Sequence, residues 1–434
     1  MNILERAKEY YDQGKYDLAL EYYYEALDAQ LATLGQKHPE VAQTYHGIAL
    51  VYHHQGEYAL ALEYYQKALD IFIATLGQMH LNVAASYNSM ANVHYQQGQY
   101  SLALEYHQKA LDIQIPTLGQ NHPSVANSYN NIALVYFKRG QYNLALEYHQ
   151  KALDIQIATL GQKHPNVAKS YHNIANVYDS QGQYSLALEY YQKALDIRIT
   201  TLGQKHPEVA GSYNNIANVY YHQGQYALAL EYYQKALDIQ ISNLGQKHPE
   251  IAGSYNNIAI TYKNQGQYSL ALEYFQKALD IQIPTLGQKH PEVAGNYNNI
   301  AITYKNQGQY SLALEYFQKA LDIYIPTLGQ KHPSVAQSYN NMANVYFSQG
   351  QYALALEYYQ KALDMLIATL GKNHPAVAYC HNNIALMYHS QERYPLALKH
   401  YQKALDIYLT TLGENHPDVE ECRHNILLLA QCLA

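Results

Sequence analysis

Asparagine and histidine are the side chains in this sequence whose spacing invites a chemical reading. One amide or imidazole recurs every 42 residues, at His46, Asn88, Asn130, His172, Asn214, Asn256, Asn298, Asn340, Asn382 and His424. Four residues further on, Asn92, Asn176, Asn218 and Asn344 share a second register with Leu50, Leu134, Ile260, Ile302, Leu386 and Leu428. Tyr221 continues the Asn214 and Asn218 stripe. An asparagine side chain both donates and accepts, which suits the backbone of an extended peptide. The competing reading is that these amides bond only to neighbouring helices or to water and recur because the unit was copied. Lys138, Lys263 and Lys305 fall later in the same segments. The last two stand in adjacent units, where they are candidates to meet an acidic side chain.

The remaining reactive types do not assemble into a centre. One histidine per unit, from His38 to His416, precedes a proline in nine of ten cases. Helices pack about 8–10 Å apart, so equivalent histidines should stand roughly 20 Å apart. Zinc needs ligands about 2 Å from the ion, so no metal site is expected. The histidines are expected to fix an extended loop before proline. Cys380 has His381 beside it, but helical neighbours point in different directions. Carboxylates such as Glu231 and Asp238 recur at outer positions. There is no nucleophile elbow, phosphate loop or HExxH motif. No enzyme activity and no cofactor are expected.

The elements that carry these residues follow from the period. Leu-Gly recurs from Gly35 to Gly413 and a second glycine from Gly14 to Gly350, always 42 residues apart, with Glu392 in the tenth slot of the second series. In the unit starting at Pro207, proline suits a first helical position and Glu208 the positive helix end. Tyr213, Ile216, Ala217 and Tyr220 form one helical stripe. Gln223-Gly224-Gln225 ends that helix. A second stripe runs through Ala229, Leu230, Tyr233, Ala236 and Leu237, and the helix continues to about Leu244, where Gly245 stops it. Glu231 and Lys235 form an i,i+4 pair on a solvated convex face. Gly211, Gly253 and Gly295 lie inside first helices, where glycine costs about 1 kcal/mol relative to alanine. Copying of one ancestral unit is the stronger reading of the three, ahead of a close approach by a helix or ligand.

Ten such hairpins fill one solenoid domain, 1–434. The first helix is shortened to about Asn2–Asp12, and a polar capping helix runs over about 417–432. Two neighbouring units, from Gly253 and from Gly295, are nearly identical, in the manner of recent duplication or a consensus-like engineered chain. Repetition also accounts for 49 Tyr beside 5 Phe and no Trp. The net charge of −7 gives no basic surface for nucleic acid. No apolar run is long enough for a membrane span, and the N-terminus is no signal peptide. Three cysteines, Cys380, Cys422 and Cys432, form no disulfide framework, and the cytoplasm is the expected location.

Ala217, Tyr220, Gly224, Tyr226, Ala229, Tyr233 and Ala236 match the packing positions of the tetratricopeptide repeat, which the unit resembles. The strings LG-x-x-HP-x-VA and NN-x-A-x-x-Y-x-x-QG-x-Y are similar to the 42-residue repeats of kinesin light chain. The resemblance implies an all-α, right-handed superhelical solenoid whose first helices line a concave groove that binds protein or an extended peptide. The family's carboxylate clamp is not expected, because its positions here are mostly Gln, Ala, Asn or Gly, with Lys169 the one basic residue. The sequence also lacks the heptad coiled coil that precedes kinesin light chain repeats. The expected function is a peptide-binding scaffold. The alternative is a structural or self-associating array, including an engineered one, without a dedicated ligand.

Overall fold

The computed structural model describes residues 3–414 and 416–433, with side chains as far as Gln431. Asn2 and the side chain of Cys432 lie outside the described residues. Helices α1 (Ile3–Asp12), α2 (Tyr16–Leu34), α3 (Pro39–His54), α4 (Tyr58–Leu76), α5 (Leu81–Gln96) and α6 (Tyr100–Leu118) open the chain. They are followed by α7 (Pro123–Lys138), α8 (Tyr142–Leu160), α9 (Pro165–Ser180), α10 (Tyr184–Leu202) and α11 (Pro207–His222). Next come α12 (Tyr226–Leu244), α13 (Pro249–Asn264), α14 (Tyr268–Leu286), α15 (Pro291–Asn306) and α16 (Tyr310–Leu328). The series closes with α17 (Pro333–Ser348), α18 (Tyr352–Leu370), α19 (Pro375–Ser390), α20 (Tyr394–Leu412) and α21 (Pro417–Leu433). No strand occurs among the described residues. The helix bounds agree with those read from the glycines and prolines.

The chain packs as two compact units, Met1–Val219 and Tyr220–Ala434. In the first, α3 lies against α4, α5 against α6, α7 against α8 and α9 against α10. Each second helix then packs on the first helix of the next hairpin, as α4 does on α5. The second unit repeats this from α13–α14 to α19–α20, and α21 covers α20. This is the stacking of an α-solenoid.

Small residues let the helices approach. Ala61, Ala68, Ala103 and Ala110 are fully buried, and so are Ala42, Ala49, Ala84 and Ala91 on the facing first helices. Large side chains fill the space between them, with Tyr65 and Phe275 at 0 % exposure and Leu111 at 2 %. Burying each such side chain contributes about 1.5–3 kcal/mol.

The ends of each hairpin are fixed by three devices. Glycine takes a positive φ in the turn, as at Gly266 (77°), which side chains on L-residues resist. Glu392 holds the same turn at φ 60°, the one non-glycine with positive φ among the described residues. Histidine caps every first helix: His248 Nδ1 accepts the Glu250 N–H at 3.3 Å, and all ten hairpin loops make the same bond. The spacing alone puts these residues in the loop, but their role as side-chain caps depends on the ring turning back over the helix. Threonine closes the second helix, with the Thr75 hydroxyl donating to the Ile71 carbonyl at 2.7 Å.

Candidate peptide-binding face

Two turns of each first helix present the amide stripe, and the structure shows what each amide touches. Asn88 is half-buried on α5. Its Nδ2 donates to Ser128 Oγ on α7 at 3.1 Å, and its Oδ1 lies 2.8 Å from His107 Nδ1 on α6. Ser128 passes the chain on to Gln114 Oε1 at 2.8 Å. Asn130 repeats the rung with Ser170 at 3.1 Å and His149 at 2.8 Å, and Ser170 donates to Gln156 at 2.7 Å. Burial lowers both imidazoles to about 4. Each is therefore neutral at pH 7, and its Nδ1–H donates to the asparagine.

The rung varies along the chain. Asn176 accepts from the Tyr191 hydroxyl, and Asn344 from that of Tyr359. Asn298 exchanges bonds with Ser338 at 3.0 and 3.1 Å. Asn340 is only 2 % exposed, and its Oδ1 accepts from Asn383 Nδ2 at 3.1 Å and lies 3.4 Å from Cys380 Sγ. These contacts correct the expected spacing: side chains of successive first helices meet directly, because those helices stand side by side and the second helices lie behind them. Asn92 and Asn218 are half-buried in the second register. Tyr221 packs on Tyr226 and accepts from Asn264 Nδ2 at 2.6 Å.

Some polar capacity is left over. The buried Oδ1 atoms of Asn214, Asn256 and Asn382 and the buried Nδ2 of Asn340 have no hydrogen-bond partner. The slot that supplies His107 and His149 in the first unit is Phe275 behind Asn256, and phenylalanine has no donor. Lys263 and Lys305 are half-buried, and burial lowers both ammonium groups from their ordinary value. Seven residues separate Asn256 from Lys263, and Asn298 from Lys305, which puts each pair on one face of α13 and α15. Lys138 is exposed.

Cavities adjoin the stripe at two places. In the first unit, about 470 Å³ is lined by Lys8, Tyr23, His46, Leu50 and Phe72 among others. In the second, about 470 Å³ is lined by Gln337, Asn340, Leu366, Tyr379 and Tyr408 among others. Cys380 also lines the second cavity, and burial pushes its thiol up to about 12, so it is held as an unreactive thiol. At Gly211 and Gly253 an added Cβ would have no atom within 4 Å, and at Gly295 it would meet only the Tyr324 hydroxyl at 3.5 Å. No helix approaches them closely, which agrees with copying as their origin.

Sequence reasoning missed the serine, glutamine and histidine members of the rungs. A signal was present: Gln114, Gln156 and Gln282 interrupt an otherwise apolar helix face, and a serine or asparagine follows each by 14 residues. Arg198 takes the glutamine's place on α10 and donates to Ser212 Oγ at 2.6 Å.

Models of the tetratricopeptide repeat match nine overlapping segments, from residues 2–74 to 376–433, and a second such model matches 172–243. No curated protein matches the chain. Among solved structures, nearly identical TPR-like repeats assigned to a kinesin light chain of Podosopora anserina are 30% identical, covering 48% of this chain and 98% of theirs, with a TM-score of 0.44. BtubC (BKLC) from P. vanneervenii is 21% identical over 54% of this chain and 91% of its own, with a TM-score of 0.46. A tetratricopeptide repeat protein from Parabacteroides merdae is 18% identical over 70% of this chain and 98% of its own, with a TM-score of 0.50.

Proposed function

The chain belongs to the tetratricopeptide repeat family, and from that premise we propose that it is a non-enzymatic scaffold holding a protein partner, as an extended segment, against its first helices. The observation that carries this reading is the set of buried amide groups that no protein atom satisfies, namely Asn256 Oδ1 and Asn340 Nδ2. An unpaired buried polar group costs about 1–3 kcal/mol. A peptide backbone supplies both the donor and the acceptor that these groups lack. The cavity beside Asn340 offers room for one apolar side chain of the same segment. Lys263 and Lys305 would meet an acidic residue, and Asn88, Asn130 and Asn298 would hold the wall in shape through their rungs.

Affinity selection of a peptide library on the whole chain, repeated with Asn256→Ala and Asn340→Ala together, tests this. Loss of about tenfold in affinity, roughly 1.4 kcal/mol, with an unchanged circular dichroism spectrum is the expected result. Equal capture by the variant counts against this face. The proposed ligand is protein rather than nucleic acid, in keeping with the net charge of −7. Among the described residues no helix is long and apolar enough to cross a membrane. The buried thiols of Cys380 and Cys422 fit a reducing compartment, and the cytoplasm is the proposed location.

One observation favours self-association as a second reading. Leu60, Leu102, Leu144 and Leu186 are 37–40 % exposed at equivalent positions of the first unit's second helices. Light scattering over a concentration series separates the two, since a monomer at every concentration removes the self-associating reading.

A further inference from the structure

The outer surface of each hairpin carries one repeated box, and the α19–α20 hairpin departs from it. In α4, Lys67 bonds Glu63 at 2.7 Å and lies 4.5 Å above the Tyr64 ring, which packs 5.8 Å from Tyr45 on α3. The same Lys–Glu bridge recurs at Lys109, Lys151, Lys193, Lys235, Lys277 and Lys319, at 2.7 or 2.8 Å. Each box is electrically neutral. On α19 and α20 the two tyrosines become His381 and His400, and the glutamate becomes Lys399, while Lys403 remains. Three substitutions thus fall on one spot, and together they invert its chemistry.

The geometry of that spot is specific. His381 Nδ1 lies 3.1 Å from His400 Nδ1, so the two nitrogens have room for one proton between them. Among the described residues no carboxylate lies within ion-pairing distance of Lys399 or Lys403. Both lysines are exposed. Arg393, at the turn, adds a third cation over the Tyr388 ring at 5.1 Å.

We propose that this outer face of the α19–α20 hairpin is a docking site for an acidic protein segment, whose carboxylate takes the place left by the missing glutamate between Lys399 and Lys403. It lies apart from the amide stripe and does not depend on the reading of that stripe. A single rung of cations suits a short acidic segment. An anionic membrane surface calls for a basic stripe over several hairpins, and the neighbouring boxes carry paired charges instead.

The site also couples binding to protons. Burial and the charges of Lys399 and Lys403 hold both imidazoles at about 4. The other charges facing the pair are few: Tyr388 on α19 packs against His400, and no charged group of α18 or α21 acts on either ring. A bound carboxylate reverses the field of the lysines and lets the pair take up a proton. Acidification from about pH 7.5 to about pH 5.5, still near the ordinary histidine range, therefore tightens binding.

A fluorescent hexaglutamate peptide titrated into the whole chain, read by anisotropy, tests this. Lys399→Glu should weaken binding by about tenfold, and raised salt should weaken it further. The triple variant His381→Tyr, Lys399→Glu and His400→Tyr restores the box of the other hairpins and should abolish both binding and its pH dependence. If the triple variant fails to fold by circular dichroism, Lys399→Gln gives the same reading with less perturbation. Lys319→Glu, in an ordinary box, and Lys263→Ala with Lys305→Ala, on the amide face, should leave binding unchanged. Equal binding by Lys399→Glu overturns the proposal, as does an equal loss in Lys319→Glu. Capture by phosphatidylserine vesicles without capture of the peptide overturns it in favour of a membrane surface.

Discussion

A single methyl group has opposite effects at two glycines of this chain. Gly253 is exposed on α13, with nothing within 4 Å of an added Cβ. Gly253→Ala should raise stability by about 1 kcal/mol through helix propensity alone. Gly47, on α3, has the Tyr23 ring 2.5 Å from where its Cβ would be. Gly47→Ala should therefore destabilise by about 1–3 kcal/mol, although equivalent positions carry Ser89, Asn131 and Asn173. Urea midpoints of the two variants check the pair, and a neutral Gly47→Ala would show that Tyr23 yields freely. The clash was not legible in the sequence, because Tyr23 lies 24 residues away and only the fold brings the two together.

At the level of the helical hairpin, the caps and turns offer the clearest tests. Glu392 holds a turn that glycine holds in every other hairpin. Strain of about 1–2 kcal/mol for the left-handed region is partly offset by the greater freedom glycine gives the unfolded chain. Glu392→Gly should thus raise stability by about 0.5–1 kcal/mol, and an unchanged melting temperature would refute the strain. His248→Ala should cost about 1 kcal/mol, whereas His248→Asn should retain most of the cap. Helix number, bounds and turns were legible because Pro207, Gly224 and Gly245 mark them in every unit. The partners of Asn88 were not. Its face follows from the helical period, but His107 and Ser128 stand 19 and 40 residues away, and no local pattern says that they meet it.

For the molecule as a whole, the buried imidazoles set the response to acid. His46, His107, His149 and His172 in the first unit are each lowered to about 4, chiefly by burial. In the unfolded chain they titrate near 6.5. Between these values the unfolded state binds more protons, so stability is complete above about pH 6.5 and falls as pH drops toward about 4. His107→Tyr with His149→Tyr adopts the residue found at Tyr65 and Tyr191 and should flatten this acid limb. Circular dichroism in urea at a series of pH values checks it, and an unchanged slope would place the acid sensitivity elsewhere. The tyrosine excess pointed to a copied unit before any fold was known, whereas the histidines that replace tyrosine stood out only once their slot proved to be interior.

The hydrogen-bonded rungs span fixed offsets: 40 residues from Asn88 to Ser128, from Asn130 to Ser170 and from Asn298 to Ser338, and 14 from Gln114 or Gln156 to their serines. An offset that is the same everywhere is indifferent to which copy supplies the partner. Unequal exchange between two genes can therefore remove or add one whole unit and leave every new neighbour already fitted. Places such as Arg198 with Ser212, or Asn340 with Cys380, lack that interchangeability. They are where such exchanges should be selected against, and where the array's length should be held constant.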